Sequence, residues 1–251
     1  MKVSIITVVR NNQYTIKDAI NSVLNQTYSN IEYIVIDGFS TDGTVDIIKS
    51  YGSSIDKFIS QKDDGIYDAM NKGIKMATGD IVGILNSDDF YINNSVIENI
   101  VNEFQKKDFD SVYANLVYVK SSNLNKVVRY YDSSHFSPKK FAYGWMPAHP
   151  TFFVKRDIYV KYGLFKTNYK ISADYEILAR FIGKYKITYS YINKTIIKMR
   201  LGGVSTNGLK NSFILNQENI RACRENGIYT NWLMIISKYP KKIIGLLYKK
   251  V

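Results

Sequence analysis

Cysteine is almost missing from these 251 residues: Cys223 stands alone, so there is no disulfide framework and a reducing compartment is expected. No run of about eighteen apolar residues occurs, which argues against a membrane-spanning helix. The apolar stretch near the start, Val3–Val9, is short and ends at Arg10, so it does not read as a secretion signal. Glycine is absent just after that stretch, where Arg10-Asn11-Asn12-Gln13 excludes a glycine-rich phosphate loop. Neither an internal repeat nor a low-complexity linker interrupts the chain. Acid is scarce in the second part. Residues 1–90 hold 8 Lys/Arg against 12 Asp/Glu, whereas the remaining 161 hold 26 against 10, a net charge of +16. Such a basic surface suits nucleic acid, anionic lipid or phosphorylated substrates, and the sign alone does not choose among them. No nucleic-acid-binding motif accompanies it.

What is present is a globular composition, 45% hydrophobic and 14% aromatic, with alternating strand and helix patterns. Strands are predicted at Val3–Val9, Ile31–Asp37, Ile55–Ser60 and Ile81–Leu85. Helices are predicted at Tyr14–Gln26, Thr44–Tyr51 and from Asp64 to Gly73. This pattern predicts an α/β fold with a mixed, largely parallel sheet flanked by helices. Beyond Phe90 the alternation loosens. A helix is expected at Ser95–Lys106, with strands at Ser111–Lys120, Lys126–Tyr131 and Thr151–Val154. A short helix at Lys155–Tyr162, a stronger one at Ala173–Gly183, strands at Ile187–Ile192 and Thr195–Met199, and a helix at Asn211–Asn226 complete the pattern.

The last segment, from Thr230 to Val251, carries five lysines and no acid, and Pro240 divides it. Interleaved lysine, Trp232 and aliphatic residues suit a membrane interface with anionic headgroups, and they equally suit a helix packed on the domain.

The candidate centre of the chain is Asp80–Phe90, an apolar strand that delivers Asn86-Ser87-Asp88-Asp89 at its carboxyl end. Ligands of open α/β sheets bind beyond those ends, and adjacent carboxylates there suit a hard divalent cation. The same pair also reads as a solvated turn capping the next helix.

Several stretches together resemble family 2 glycosyltransferases of the GT-A fold: Val3–Asn11, Val35–Thr44, Asp64–Gly73, Ala77–Asp80, Leu85–Asp89 and Ser172–Glu176. The resemblance spans about residues 1–205 and divides them into a nucleotide-sugar half, 1–90, and an acceptor half, 91–205. Residues 206–251 are left as a basic helical, membrane-proximal extension. It implies an inverting transfer of a hexosyl or N-acetylhexosaminyl group from a nucleotide-sugar, a UDP-sugar foremost, to a saccharide or polyprenyl-linked acceptor in cell-surface polysaccharide synthesis. The place of work would be the inner face of the cell membrane, with Mn²⁺ or Mg²⁺ as cofactor.

The resemblance also assigns residues. Thr7, Val9, Arg10 and Asn11 would line the nucleotide pocket, with Asp37 accepting bonds from base or ribose; Asp37-Gly38 is also an ordinary turn pair. Asp68, Asn71 and Lys72 lie close at helical spacing and would approach the donor, although Lys72 also reads as a solvated surface residue. Asn86 takes the place of the commoner Asp and, with Ser87, would contact the donor nucleotide, next to the metal ligands: chiefly Asp88, with Asp89 as the alternative or as a neighbour contacting ligand. Asp174 would be the general base, where the family often has Glu-Asp and this chain has Ala173-Asp174; alone it also reads as a helix N-terminal acid. His149 leans towards acceptor contact, Glu176 is secondary, and Arg200 begins a glycine loop where it would meet phosphate.

Two rival readings are weaker. A sugar-phosphate nucleotidylyltransferase would carry the missing glycine-rich loop. A non-catalytic nucleotide-sugar-binding or basic membrane-surface module leaves the clustered acids at strand ends without a role.

Overall fold

The computed structural model describes residues 1–202 and 208–239. Its first half alternates β1 (Val3–Val9), α1 (Ile16–Leu24), β2 (Ile31–Asp37), α2 (Thr44–Lys49), β3 (Lys57–Ser60), α3 (Ile66–Met76) and β4 (Ile81–Ile84). Strand β1 is buried along its whole length because the sheet is covered on both faces. Ile6 and Val8 point to the face that carries α3, and Val3, Ile5 and Val9 point to the face that carries α1. Helix α3 lies so close to the sheet that a Cβ on Gly73 would stand 2.4 Å from Ile6 Cγ2.

The sheet runs β3-β2-β1-β4 with parallel pairing. The chain moves outward from β1 to β3, then returns to the other side of β1 as β4. The carboxyl ends of β1 and β4 therefore flank the topological switch point, where such sheets bind ligands.

The second half adds β5 (Phe90–Tyr91), α4 (Val96–Lys106), β6 (Ser111–Lys120), β7 (Asn123–Tyr131), β8 (Phe153–Lys155), α5 (Arg156–Tyr162), α6 (Ala173–Leu178), β9 (Tyr189–Arg200), α7 (Gly208–Glu225) and α8 (Trp232–Ile236). Beyond β4 the order continues β8-β6-β9-β5, with β7 on β6. Strands β6 and β9 are parallel, whereas β8, β7 and β5 pair antiparallel.

Three expectations change. The two predicted strands at 187–199 are one strand, β9, because Asn193 and Lys194 are absorbed by a register shift against β6 between Tyr113 and Asn115. The helix predicted over 173–183 is α-helical to Leu178 and a π-turn over Ala179–Lys184, where the Arg180 guanidinium bonds Tyr162 O, Leu164 O and Glu176. Thr151, predicted to open the strand Thr151–Val154, closes a 3₁₀ turn, His149–Thr151, and the strand begins at Phe153.

The described part of the predicted extension packs on the domain: Ala222 and Cys223 of α7 belong to the core, and Thr230 Oγ1 bonds Ala142 O at 2.6 Å. Pro240 and the lysines after it lie outside the described residues. Among the described residues, no helix is long and apolar enough to cross a membrane.

Candidate active site

At the switch point, side chains tie the strand ends together. Asn12, just past β1, donates from Nδ2 to Ser87 Oγ at 2.8 Å, and Thr15 Oγ1 donates to Ser87 O at 3.0 Å. Asn11 has a φ of 50° and binds the turn after β2, donating from its N–H to Ser40 Oγ and accepting from Thr41 N. The left-handed region suits asparagine better than most residues.

Asp37 is buried and forms that turn. Its carboxylate accepts from Ser40 N and Ser40 Oγ, and from Ser60 Oγ at 2.6 Å, so any bond to a ligand would use its remaining lone-pair capacity. A Cβ on Gly38 would stand 2.4 Å from Asp63 Oδ2, so a side chain there would displace the Asp63 carboxylate. Arg10 is exposed at the strand end.

Four assigned donor contacts take other positions. Thr7 and Val9 are odd-numbered on β1 and face the core beside α1; Thr7 accepts from Tyr33 OH at 3.0 Å. Asn71 is buried, with both ends of its amide paired to the Phe165 backbone at 2.9 Å. Lys72 bonds Asp68 and Lys62 O, each at 2.9 Å, knitting the loop before α3 to the helix. Its hydrogen bond holds Asp68 below the usual carboxylate range.

The acid corner is exacting electrostatically. Asp89 is fully buried, and burial followed by the charge of neighbouring Asp88 pushes its carboxyl well above the ordinary range. Burial also raises Asp88, which is partly open, against an opposing effect of Arg200. Asn86 Nδ2 donates to Asp89 Oδ2 at 3.3 Å, yet Asn86 Oδ1 and Asp89 Oδ1 are buried without a partner. Two carboxylates and orphaned oxygens form a hard donor set that fits Mg²⁺ or Mn²⁺. No cluster of three His, Cys, Asp or Glu suited to a metal exists among the described residues, so water and ligand oxygens would complete the coordination.

Directly after this corner the chain enters β5, whose antiparallel pairing with β9 sets Phe90 opposite Lys198 and brings Arg200 alongside. Arg200 donates from NH1 to Asp88 O at 2.6 Å, pairs with Asp18 through NH2, and lies 4.9 Å from the centre of the Phe90 ring. Its neighbour Met199 is opposite Tyr118 of β6, and both line a cavity of about 190 Å³ that reaches Asp174. The charges of Asp89 and Asp174 both act on the Tyr118 hydroxyl, whose pKa is raised chiefly by burial.

Asp174 stands in the first turn of α6. Its Oδ1 accepts from Tyr175 N at 2.8 Å and its Oδ2 lies 3.0 Å from His149 Nδ1. His149 is held by the 3₁₀ turn whose Thr151 Oγ1 bonds both the N–H and the carbonyl of Ala114 on β6. Glu176 faces away: fully buried, it binds Lys166, Arg180 and Asn226, which removes it from the site.

Sequence reasoning missed several contributors. Glu218 of α7 accepts from the N–H groups of Lys170, Ile171 and Ser172, the segment that leads into α6. Nothing in a helical glutamate announces such a reach of 46 residues. Asn12 had a weak signal, since it continues the polar run after β1.

The family model for glycosyl transferase family 2 matches residues 4–163, more than half of the chain. The chain belongs to that family. This family 2 chain is 32% identical over 214 residues to an uncharacterised glycosyltransferase of Rickettsia typhi, covering 81% of itself and about 65% of that relative's length. Among solved structures it is similar to S. aureus TarS 1–349 in complex with UDP-GlcNAc, with a TM-score of 0.68 at 15% identity over 91% of this chain and 68% of that one. It is also similar to the mannosyltransferase PcManGT of Pyrobaculum calidifontis in complex with GDP-Man and Mn²⁺, with a TM-score of 0.63 at 17% identity over 99% and 81%. These likenesses establish the GT-A fold, a mixed α/β sheet flanked by helices.

Proposed function

We propose that this family 2 chain is an inverting glycosyltransferase that takes a sugar from a nucleotide-sugar, a UDP-sugar first among the candidates, and attaches it to a saccharide or polyprenyl-linked acceptor. The observation that carries the reading is a buried acid corner, Asn86 to Asp89, beside a separate carboxylate, Asp174: the charges of Asp89 and Asp174 both reach Tyr118, which lines the cavity that Asp174 also lines. The nucleotide would lie over the ends of β1 and β2, near Arg10, Asn11 and Asp37, and its diphosphate would face Asp88 and Asp89. A divalent ion held by Asp88 and Asp89, with Asn86 beside them, would neutralise charge on the departing nucleoside diphosphate.

The chain's own residues supply the rest. Asp174 removes the proton of the acceptor hydroxyl while that oxygen bonds to the anomeric carbon, and the bond from that carbon to the diphosphate oxygen breaks. His149 orients Asp174 through Oδ2, and the Tyr175 N–H holds Oδ1. Glu218 fixes the segment that carries the base. Residues 1–205 then act as the transfer unit, and α7 helps to build its acceptor side.

The setting we infer is the inner membrane surface in cell-surface polysaccharide synthesis. Phe213, Tyr229, Trp232, Leu233 and Ile236 are exposed large apolar side chains on or beside α7 and α8, in the basic part of the sequence. Such a mixture favours anionic lipid. Flotation with vesicles containing phosphatidylglycerol, and none with phosphatidylcholine alone, is the expected outcome; equal recovery from both would remove this placement.

The test of the reaction is a screen of nucleotide-sugars for binding and transfer, with Mn²⁺ and with EDTA. A metal-dependent rise in melting temperature with one nucleoside diphosphate, followed by transfer that Asp174→Asn stops, is expected. Binding with no turnover on any acceptor would make the chain a nucleotide-sugar-binding module.

A further inference from the structure

The cavity beside Asp174 has a polarity that the transfer reaction alone does not require. Among the residues that line it, Asp174 is the single carboxylate, against the cations Arg129 and Lys238. Arg129 comes from β7, where its register partner across the hairpin is Tyr118 of β6. Its guanidinium carbon lies 5.2 Å from the ring centre of Tyr118 and 5.8 Å from that of Tyr131. Tyr131 is itself fixed by a 2.8 Å bond from its hydroxyl to Met146 O. Two ring faces therefore orient the guanidinium without consuming its N–H groups, and among the described residues Arg129 has no carboxylate partner. Asn219 of α7 lines the same cavity, is 3% exposed, and has no hydrogen-bond partner for its Oδ1.

We propose that this cavity is an acceptor subsite for an anionic acceptor, whose phosphate or carboxylate is held by Arg129 while Asn219 Oδ1 accepts a hydrogen bond from one of its hydroxyls. The inference rests on the glycosyltransferase reading. In an inverting displacement the base and the departing diphosphate lie on opposite faces of the sugar, so a cation in the base's own cavity meets the acceptor rather than the donor. A stacked guanidinium binds phosphate or carboxylate in a bidentate manner, which gives orientation as well as affinity. Orientation is what the reaction needs here, because the accepting hydroxyl must reach Asp174.

The test uses the full chain with its donor crevice filled by UDP and Mn²⁺, or by GDP and Mn²⁺ if UDP does not bind. Glucose 1-phosphate, glucuronic acid and methyl β-glucoside are titrated by calorimetry into the wild type, Arg129→Gln and Arg129→Lys. The wild type is expected to bind one or both anions at least about tenfold more tightly than the neutral glucoside. Arg129→Gln should erase that preference and Arg129→Lys should keep part of it, while Asn219→Ala should weaken all three sugars alike. Preference for the phosphate points to a phosphorylated or lipid-diphosphate acceptor, and preference for glucuronic acid to a uronic-acid glycan. Equal affinity for the three probes, no binding of either anion, or a preference that survives Arg129→Gln overturns the inference. Nucleotide binding in the same samples separates the two failures: if it is retained, only the acceptor inference falls, and if no nucleotide binds, the glycosyltransferase reading falls with it.

Discussion

His149 Nδ1 lies 3.0 Å from Oδ2 of Asp174, although 25 residues of chain separate them. The contact turns a lone helix-terminal acid into an oriented one. If Asp174 is the base, Asp174→Asn lowers kcat by about 10²–10⁴-fold and leaves nucleotide affinity unchanged. His149→Gln should lower kcat by roughly ten- to a hundredfold, the scale of one hydrogen bond to a charged group. Steady-state kinetics beside calorimetry with the nucleotide checks both. A His149→Gln enzyme with wild-type kcat would reduce His149 to a packing residue.

Glu218 gives a second handle on the same segment. Its carboxylate accepts three backbone N–H bonds before α6, so Glu218→Ala is expected to lower kcat and acceptor affinity while donor affinity persists. Glu218→Gln should recover part of the loss, because one amide oxygen still accepts. Donor affinity falling in parallel with kcat would point to general unfolding instead.

The acid corner predicts a metal-dependent donor site. Asp88→Asn and Asp89→Asn should each abolish the Mn²⁺-dependent part of the thermal shift produced by nucleotide-sugar. The protein without ligand should be no less stable after Asp89→Asn, since a buried acid beside another acid is costly to ionise. Wild-type Mn²⁺ dependence in both variants would remove the metal assignment.

Asn71 yields a prediction of opposite kind. Its amide closes two buried bonds with the Phe165 backbone, so Asn71→Ala should cost about 1–3 kcal/mol of stability and leave nucleotide affinity intact. Urea denaturation and calorimetry separate those effects, and weakened nucleotide binding in a fully folded variant would return Asn71 to the donor site.

Stability should fall in acid for a traceable reason. Burial alone would raise Glu225, but bonds from Lys166, Arg221 and Tyr169 outweigh it and hold the carboxyl at about 2. Glu32 is held low in the same sense, burial being outweighed by Lys57, Ser4 and Thr78. Because the folded values lie below the unfolded value of about 4.3, the stabilisation is complete above that value and is lost as pH falls toward 2. Glu32→Gln should cost about 2 kcal/mol at pH 7, less than the loss of a fully buried pair because Lys57 and Lys2 keep solvent. It should also flatten the acid limb of a urea-midpoint profile against pH. An unchanged limb would mean that the network contributes little.

The sequence by itself determined the strand–helix alternation of residues 1–90, because continuous apolar runs, which a sheet covered on both faces enforces, and period-3.6 helical patterns are local properties. It also located the acid corner and Asp174, since motif residues at strand and helix ends carry their chemistry in neighbouring positions. It did not reveal that the side chains of Thr7, Val9 and Asn71 are buried, because periodicity tells which positions share a face but not which face is covered by the core. The tertiary structure alone decided what lies beside what. Pairing of β5 with β9 set Arg200 under Asp88, packing of the 149–151 turn set His149 on Asp174, and docking of α7 brought Glu218 to the 170–172 segment and Asn219 to the cavity that Asp174 lines. Those contacts join residues tens of positions apart, and only the closed packing of the sheet and its helices brings them within hydrogen-bond reach.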